Sequence, residues 1–206
     1  MRRDYLRGRL DESGSGSDPL PLFASWLEEA VTAGQLEPTA MTLATADSAG
    51  RVSARMVLLK GHGPEGLVFY SNEGSRKGRD LHENPRAALV FWWDLLERQV
   101  RVEGSVEQLG AAESEAYFAS RPRGSQLAAW ASQQSAPLTS REELEGSYRE
   151  FERRFEGQPV PKPGHWGGYR LLPDAFEFWQ GRGDRLHDRF RFELEGAGWR
   201  RTRLAP

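Results

Sequence analysis

The sequence contains no cysteine, and this absence excludes several kinds of chemistry at once. Without thiols the chain has no disulfide, no cysteine nucleophile and no cysteine-ligated metal. The four histidines form no pair at helical spacing and no HExxH motif, so we expect no zinc site. The GxSxG, P-loop and GxGxxG motifs are missing as well. These common hydrolase and nucleotide-binding chemistries are therefore not predicted.

The sequence also lacks long apolar runs and a strong charge imbalance. No run approaches the roughly 18 apolar residues of a membrane span. The N-terminal "MRRDYLRGRL" has neither the apolar core nor the cleavage site of a signal peptide, so we expect a cytoplasmic protein. A net charge of -2 argues against nucleic acid as the main partner. A length of 206 residues fits one domain.

Lysine is scarce, although basic residues are not. Of 28 basic residues only Lys60, Lys77 and Lys162 are lysines, and the other 25 are arginines. Lysine and arginine differ in shape and hydration, so a lysine retained in such a chain indicates a place where a compact ammonium group is needed. Lys162 lies in a loop rich in proline and glycine. Lys60 and Lys77 are the better candidates for a site.

Alternating strands and separate helices predict an α+β fold. Residues 11–18, "DESGSGSD", predict a flexible linker, and Asp18-Pro19 then predicts the start of a helix that ends at Gly34. Hairpin-like strand pairs follow, with a helix that starts at Ser75 and helices that are interrupted at Pro122. "GGYRLL", "AFEFWQ" and a final hairpin that turns at residues 196–198 complete the chain. This order predicts an antiparallel, closed or partly closed barrel with peripheral helices.

Two stretches in the first half of the chain combine cations with hydrogen-bond donors. Ser75, Arg76 and Lys77 open a helix, where free N–H groups and the helix dipole favour a phosphate; an ordinary capped surface helix is the alternative. Arg55 and Lys60 belong to one strand, but their odd separation places them on opposite faces unless the strand bends or ends. They are therefore predicted to serve two different ligands.

A third cationic stretch lies on the helices around Pro122. Tyr117 and Arg121 are four residues apart and share a helix face, and Ser125 follows the break. A phenol, a guanidinium and a hydroxyl would then converge on one anion. A simple helix-surface pair is the alternative.

A fourth stretch, "GDRLHDRF" at residues 183–190, predicts the start of a strand. Alternation places Arg185, His187, Arg189 and Arg191 on one face, with Leu186 and Asp188 on the apolar face. Neighbouring positions on a strand face opposite ways, which argues against a His187–Asp188 dyad. The alternative is a solvated outer face.

Trp179 is predicted to lie on the face opposite its apolar neighbours in "FEFW", where it could stack on a flat ligand. Together with the four cationic stretches, this residue indicates a protein that binds one or two phosphorylated, aromatic small molecules.

Seven fragments in order carry a family resemblance. They are "RMVLLK", "NEGSRKGRDLHENPR", "LERQVRVEG", "YFASRPRGSQLAAWASQQS", "FWQG", "RLHDRF" and the terminal "RLAP". The chain resembles pyridoxine/pyridoxamine 5'-phosphate oxidases over its whole length. The resemblance implies a split-barrel flavoprotein, homodimeric, with FMN bound non-covalently at the subunit interface. It also implies oxidation of pyridoxine or pyridoxamine 5'-phosphate to pyridoxal 5'-phosphate, with O₂ reduced to hydrogen peroxide.

The resemblance assigns site residues by position. For FMN it implies Arg55, Met56, Val57, Leu58, Leu59, Lys60, Tyr70, Ser71, Arg76, Lys77, Gln99, Gln134, Ser135, Trp179 and Arg189, of which the last four would come from the partner subunit or its interface. For the substrate it implies Lys60, Tyr117, Arg121 and Ser125 at the phosphate, Arg185, Leu186 and His187 at the pyridine ring, and Arg2, Arg3, Asp4 and Tyr5 as a lid. Residues 1–17 would then be a mobile lid and linker, and residues 18–206 a single FMN-binding domain.

Arg185 and His187 are the predicted catalytic residues. His187 either accepts the proton that leaves the substrate or only orients the substrate by a hydrogen bond. A different class remains as the alternative function: a carrier or sensor that binds flavin or pyridoxal phosphate without turnover.

Overall fold

The computed structural model describes Tyr5 and residues 8–206, so the lid residues Arg2, Arg3 and Asp4 lie outside the described part. The helices are α1 (Glu12–Ser15), α2 (Pro19–Thr32), α3 (Arg76–Glu83), α4 (Ala111–Ser120), α5 (Arg123–Ala131) and α6 (Arg141–Arg154). The strands are β1 (Ala40–Ala46), β2 (Val52–Leu58), β3 (Gly61–Gly63), β4 (Gly66–Asn72), β5 (Arg86–Trp93), β6 (Arg98–Gln108), β7 (Trp166–Gln180), β8 (Asp188–Glu195) and β9 (Gly198–Arg203). None of the described helices is long and apolar enough to cross a membrane.

The nine described strands form one antiparallel sheet. Its main path runs β2-β1-β5-β6-β7-β4-β3, and β8 and β9 extend from β7. β7 is long enough to pair with three strands, β4, β6 and β8. The β7–β6 register shifts at Gly104, where a side chain would collide with the backbone of Leu172. The observed topology confirms the predicted α+β fold with hairpin-linked strands.

The core lies under α2, on one face of the sheet. Phe23 of α2 is fully buried and meets the ring of Phe91 edge-on, and Trp26 does the same with Phe178. The side chain of Asp18 accepts the N–H of Leu20 and caps this helix, and Pro19 occupies its first turn. The apolar spacing of α2 thus fixes the helix against the barrel.

A second apolar cluster joins the helical block to the start of β7. It contains Phe118, Leu127, Phe155 and Trp166, each buried, from α4, α5, the end of α6 and β7. As predicted, the helices in residues 111–134 are separated at Pro122. This block holds α4 and α5 next to β4, whose Tyr70 packs against the cluster.

Three details differ from the predictions. Residues 11–18 are not simply a linker, because they contain α1, capped by Asp11 and held by Arg201, which donates to the Ser15 hydroxyl and to two backbone carbonyls. "GGYRLL" and "AFEFWQ" are one strand, β7, with Pro173 at the register shift. Both segments are ordered by contacts with residues far away in the sequence, and local composition does not predict such contacts.

The third difference concerns "GDRLHDRF", where the predicted alternation is wrong before Asp188. Residues Gly183–Arg185 form a single 3-10 turn, and Asp184 and Arg185 both have positive φ, at 55° and 60°. Leu186 is 70% exposed rather than on the apolar face. The turn is closed by Leu186 N–H, which donates to Gly183 O. From β8 onward the alternation holds, since Phe190 and Phe192 are buried and Arg189 and Arg191 are more exposed.

Candidate functional site

One cavity of about 990 Å³ is lined by twelve of the predicted binding residues. It lies between the β2 and β4 strands and helices α3, α4 and α5. Its lining consists of Arg55, Met56, Val57, Leu58, Lys60, Tyr70, Ser71, Asn72, Lys77, Tyr117, Ser120, Arg121, Pro122, Ser125, Ala128, Ala129, Ser132, Gln134 and Trp166. Among the described residues, the lining includes four cations and no carboxylate, so the cavity is suited to an anionic ligand.

Lys77, in the first turn of α3, is a buried cation with neutral partners. The helix starts at Ser75, whose side chain accepts the N–H of Gly78. The Lys77 ammonium donates to Ser71 Oγ, Ser75 Oγ and Gln134 Oε1, at 3.1, 3.2 and 2.5 Å. No ion pair of the described residues includes it. Burial, with the charge of Arg55 as a smaller cause, lowers the pKa of Lys77 to about 8.

Arg55 lies on β2 and is held by neighbouring strands. Its guanidinium donates to Leu43 O, to Thr45 Oγ1 and to Ser53 Oγ. Burial lowers the pKa of Arg55. Arg55 and Lys77 thus form a partly desolvated pair of like charges in one cavity, an arrangement that a bound anion would relieve.

Lys60 lines the same cavity as Arg55, although strand alternation alone would separate them. β2 ends at Leu58, Leu59 is buried below the cavity wall, and the N–H of Lys60 donates to Val68 O on β4. Because the strand ends before Lys60, strand alternation does not apply to this residue. The end of the strand is the exception, named from the sequence, that places Arg55 and Lys60 together.

Arg121 follows α4 and lies over aromatic rings. Its guanidinium carbon is 4.8 Å from the ring centre of Trp166 and 5.5 Å from that of Phe118. Its Nη1 atom is buried and has no hydrogen-bond partner among the described residues. Burial lowers the pKa of Arg121. A buried guanidinium nitrogen without an acceptor points to an anion as the missing partner.

Tyr117, predicted beside Arg121, belongs to an aromatic wall. Tyr117 stacks on Tyr70 at 3.9 Å, and Tyr70 stacks on Trp166 at 5.3 Å. A side chain at Gly168 would meet the Tyr70 ring, so this glycine makes room for the stack. Ser125, on α5, lines the cavity with them.

Gln134 and Ser135 contact helix α3 of their own chain. Gln134 accepts from Lys77, and Ser135 Oγ accepts the N–H of Arg76 at 3.2 Å. Ser135 adopts a φ of 73° to do so. Both residues were expected to act from the partner subunit or its interface. These contacts lie within one chain and do not require a partner. Arg76, at the same helix start, does not line the cavity.

Trp179 and His187 form a second group, which does not line the cavity. Trp179 lies on the face of β7 opposite the buried Phe178, as predicted, and its ring centre is 4.5 Å from that of His187. Tyr5 packs edge-on against both rings. Gln99 pairs with Trp179 across β6 and β7. Burial, with Arg185 as the second cause, lowers the pKa of His187.

Arg185 and Arg189 do not meet His187 on one strand face. Arg185 and Leu186 are exposed in the turn before β8. Arg189 lies in β8 and forms a two-nitrogen contact with Glu177, at 3.0 and 2.7 Å, and a bond to Ala205 O. Glu177 is only 4% exposed, so Arg189 neutralises a buried carboxylate.

Sequence reasoning missed several parts of the cavity. Trp166, Asn72 and Ser132 line it but were not predicted. Asn72 contacts the helical block by donating to Ser132 O, at 3.4 Å. For Trp166 a signal existed, because two glycines follow it and leave space at the strand start. Asn72 and Ser132 meet only through tertiary structure, 60 residues apart.

The edge strand β2 leaves an apolar face uncovered. Met56 is 62% exposed, and Val52 and Leu58 lie exposed on the same side of the strand. Trp92 of β5 is also exposed, next to Trp179. Exposed apolar side chains in such a row are typical of a protein interface.

The curled antiparallel sheet with peripheral helices defines the class: a split-barrel, flavin-binding fold. The family model for pyridoxamine 5'-phosphate oxidase matches residues 27–155, and the model for the pyridoxine 5'-phosphate oxidase C-terminal dimerisation region matches residues 166–206. The chain belongs to the pyridoxine/pyridoxamine 5'-phosphate oxidase family and is an oxidoreductase. The dimerisation region indicates a homodimer.

Relatives with this name cover the whole chain. The pyridoxine/pyridoxamine 5'-phosphate oxidase of Rubrobacter xylanophilus is 59% identical over 100% of this chain and 95% of its own length. That of Thermosynechococcus vestitus is 56% identical over 100% and 97%. That of Bordetella pertussis is 55% identical over 100% and 98%.

Two solved structures share the fold. PhzG from Burkholderia lata, in complex with tetrahydrophenazine-1-carboxylic acid, matches with a TM-score of 0.90 at 34% identity, over 96% of this chain and 98% of that chain. A pyridoxamine 5'-phosphate oxidase-related, FMN-binding protein from Nostoc punctiforme matches with a TM-score of 0.72 at 15% identity, over 89% and 97%. Together with the family match they confirm the predicted split barrel.

Proposed function

We propose that this enzyme binds FMN and oxidises pyridoxine 5'-phosphate or pyridoxamine 5'-phosphate to pyridoxal 5'-phosphate, with O₂ reduced to hydrogen peroxide. The observation that carries the proposal is the set of cations in one cavity whose described lining contains no carboxylate. They are Lys77 and Arg55 near the start of α3, and Arg121 beside α4, whose Nη1 has no partner among the described residues. Two cationic groups in one cavity match two phosphates, one on the flavin and one on the substrate.

The residues present fit an FMN phosphate at α3. Lys77 and Arg55 supply charge, and Ser71 and Gln134 supply polar side chains at hydrogen-bond distance from the ammonium. Arg76 and Ser135 lie at the same helix start. The exposed side chains of β2, Met56 among them, offer an apolar surface to the flavin ring. When bound, FMN supplies the electron acceptor of the reaction and the reactivity toward O₂.

The second cationic group suits the substrate phosphate. Lys60, Tyr117, Arg121 and Ser125 line one part of the cavity, and Arg121 is fixed over Trp166. A phosphate there would accept from the buried Nη1 atom, which otherwise pays a desolvation penalty. Charge-assisted bonds of this kind contribute roughly 1.5–3 kcal/mol each, enough to select a phosphorylated substrate.

The homodimer would complete the site. The His187 group does not line its own chain's cavity, and the β2 face beside the cavity is apolar and exposed. In the proposal, Arg185, His187, Trp179 and Arg189 face the cavity of the partner subunit, where the first two hold the pyridine ring. Tyr5, with Arg2, Arg3 and Asp4, would close over the substrate; the last three lie outside the described residues.

The test is an anaerobic titration of the yellow holoenzyme. Addition of pyridoxine 5'-phosphate should bleach the flavin absorbance, and air should restore it with release of hydrogen peroxide. A flavin that stays oxidised with both phosphorylated substrates would support a carrier or sensor instead. Light scattering at low micromolar concentration should give twice the 23.2 kDa chain mass. An FMN-loaded monomer would contradict the shared site.

A further inference from the structure

A buried carboxylate lies behind the cavity wall. Asp80 is on α3, one turn after Lys77, and is 5% exposed. It does not line the cavity. Its Oδ2 atom accepts from Thr45 Oγ1 at 2.6 Å and from Ser53 Oγ at 3.0 Å. Asp80 thus connects α3 to strands β1 and β2.

The same two hydroxyls bind Arg55. Arg55 Nη1 donates to Thr45 Oγ1 at 2.8 Å, and Nη2 donates to Ser53 Oγ. A guanidinium has only donors, so both hydroxyl oxygens must accept from it and must point their own protons elsewhere. Both hydroxyls donate to Asp80 Oδ2. The carboxylate therefore fixes the orientation of each hydroxyl and, through them, of Arg55.

The charge of Asp80 also suits this place. Asp80 Oδ2 is 3.8 Å from Arg55 Nη2, close enough for an ion pair but beyond a hydrogen bond. It also favours the charged form of Lys77, against the repulsion from Arg55. Because Asp80 lies outside the lining, it stabilises the two cations without occupying the position of an incoming anion.

We propose that Asp80 is a positioning residue, which orients Arg55 through the hydroxyls of Thr45 and Ser53 so that the guanidinium meets the phosphate of the bound flavin. The inference rests on the proposed function, because it takes FMN as the ligand. The competing explanation is that Asp80 only ties α3 to the β1–β2 hairpin.

The test compares FMN with riboflavin, which lacks the phosphate, on apo-protein variants by quenching of flavin fluorescence. Asp80→Ala should raise the Kd of FMN roughly tenfold or more, since it loosens a charge-assisted contact, and should change the Kd of riboflavin less than about twofold. Asp80→Asn keeps an oxygen that both hydroxyls can reach, so it should recover most of the FMN affinity.

Glu83→Ala is the matched control. Glu83 lies on the same helix and accepts from the Ser48 hydroxyl at 2.8 Å, so it ties α3 to the same hairpin without touching Arg55. It should leave the FMN Kd unchanged. Equal losses for FMN and riboflavin in Asp80→Ala, or the same loss in Glu83→Ala, would mean that Asp80 is only a structural tie.

If Asp80→Ala does not fold, Thr45→Val replaces it in the test. This substitution removes one of the two hydroxyls between Asp80 and Arg55 and keeps the side-chain volume. It should weaken FMN more than riboflavin, and an unchanged FMN Kd would overturn the proposal. A wild-type protein that binds neither flavin would instead refute the proposed function, which keeps the two failures distinct.

Discussion

The backbone N–H of Arg182 donates to Nδ1 of His187 at 3.1 Å. A backbone N–H can only donate, so Nδ1 must be unprotonated and the neutral imidazole carries its proton on Nε2. Burial and the charge of Arg185 lower the pKa of His187, which keeps the ring neutral near pH 7. In this state the exposed nitrogen is a donor. Of the two roles left open by the sequence, the geometry favours orientation of the substrate over proton acceptance.

A first prediction concerns this tautomer. His187→Ala and Arg185→Ala should retain FMN and lose flavin reduction by substrate. His187→Gln, which keeps an N–H donor at a similar reach, should recover part of the rate, with a pH profile parallel to that of the wild type. Stopped-flow bleaching across roughly pH 5.5–8.5, from about one unit below to about two units above the ordinary histidine pKa, measures this. An acidic limb that is present in the wild type and absent in His187→Gln would restore the general-base role.

A second prediction concerns Nη1 of Arg121, which has no hydrogen-bond partner in the part of the chain that the structure describes. Arg121→Met keeps an apolar chain over Trp166 and removes the buried donor. The free energy of unfolding of the variant should be about 1 kcal/mol higher than that of the wild type, because a desolvated donor without an acceptor destabilises the folded protein. It should also raise the KM for pyridoxine 5'-phosphate strongly. Urea unfolding of the apo-protein and steady-state kinetics check the two effects. A loss of stability would show that the contacts of the guanidinium with the Trp166 and Phe118 rings outweigh the desolvation penalty.

A third prediction follows from the depressed pKa of Lys77, which is about 8 against 10.5 for a free lysine. The phosphate is fully ionised above roughly pH 7, so loss of the lysine proton should weaken FMN binding as pH rises beyond 8. Between pH 8 and about 10.4 the unfolded chain holds the extra proton, so stability of the apo-protein should rise over this window. Titrations with FMN at pH 7 to 9.5 test the first part, with a flat response for riboflavin as control.

A fourth prediction concerns Asp188, which the sequence placed on the apolar side of the strand. Its carboxylate accepts the N–H of Leu10 and a bond from Arg203 Nη1, each at 3.0 Å. Asp188→Ala leaves the part-buried Leu10 N–H without its acceptor, whereas Arg203 keeps its bonds to Glu12, and it should destabilise the fold by about 1–3 kcal/mol. The exposed Asp174, paired with Arg86, is a suitable control, and its alanine variant should change stability by less than about 1 kcal/mol. Thermal melts of the two variants measure these changes in stability. If Asp188→Ala melts at the same temperature as the wild type but no longer supports flavin reduction, Asp188 takes part in the reaction.

Much of the architecture follows from local sequence. The Ser75 cap, the Pro122 break, the Asp18-Pro19 helix start and the final hairpin lie where their residues predict them, because caps, prolines and turns act within a few residues. The two scarce lysines, Lys60 and Lys77, both line the cavity. Residue type indicated the three lysines, since a chain this rich in arginine retains few ammonium groups, and the loop position of Lys162 left these two.

Only the tertiary structure decided how these pieces meet. The turn at residues 183–185 interrupts a convincing alternation, because backbone hydrogen bonds to Gly183 O and His187 Nδ1 outweigh the strand pattern. Lys60 shares a cavity with Arg55 because β2 ends between them. The relay from Asp80 to Arg55 joins residues from three elements. The sequence by itself determined which groups carry charge and where elements start. Their distances, burial and missing partners depend on contacts between distant segments, which no local pattern records.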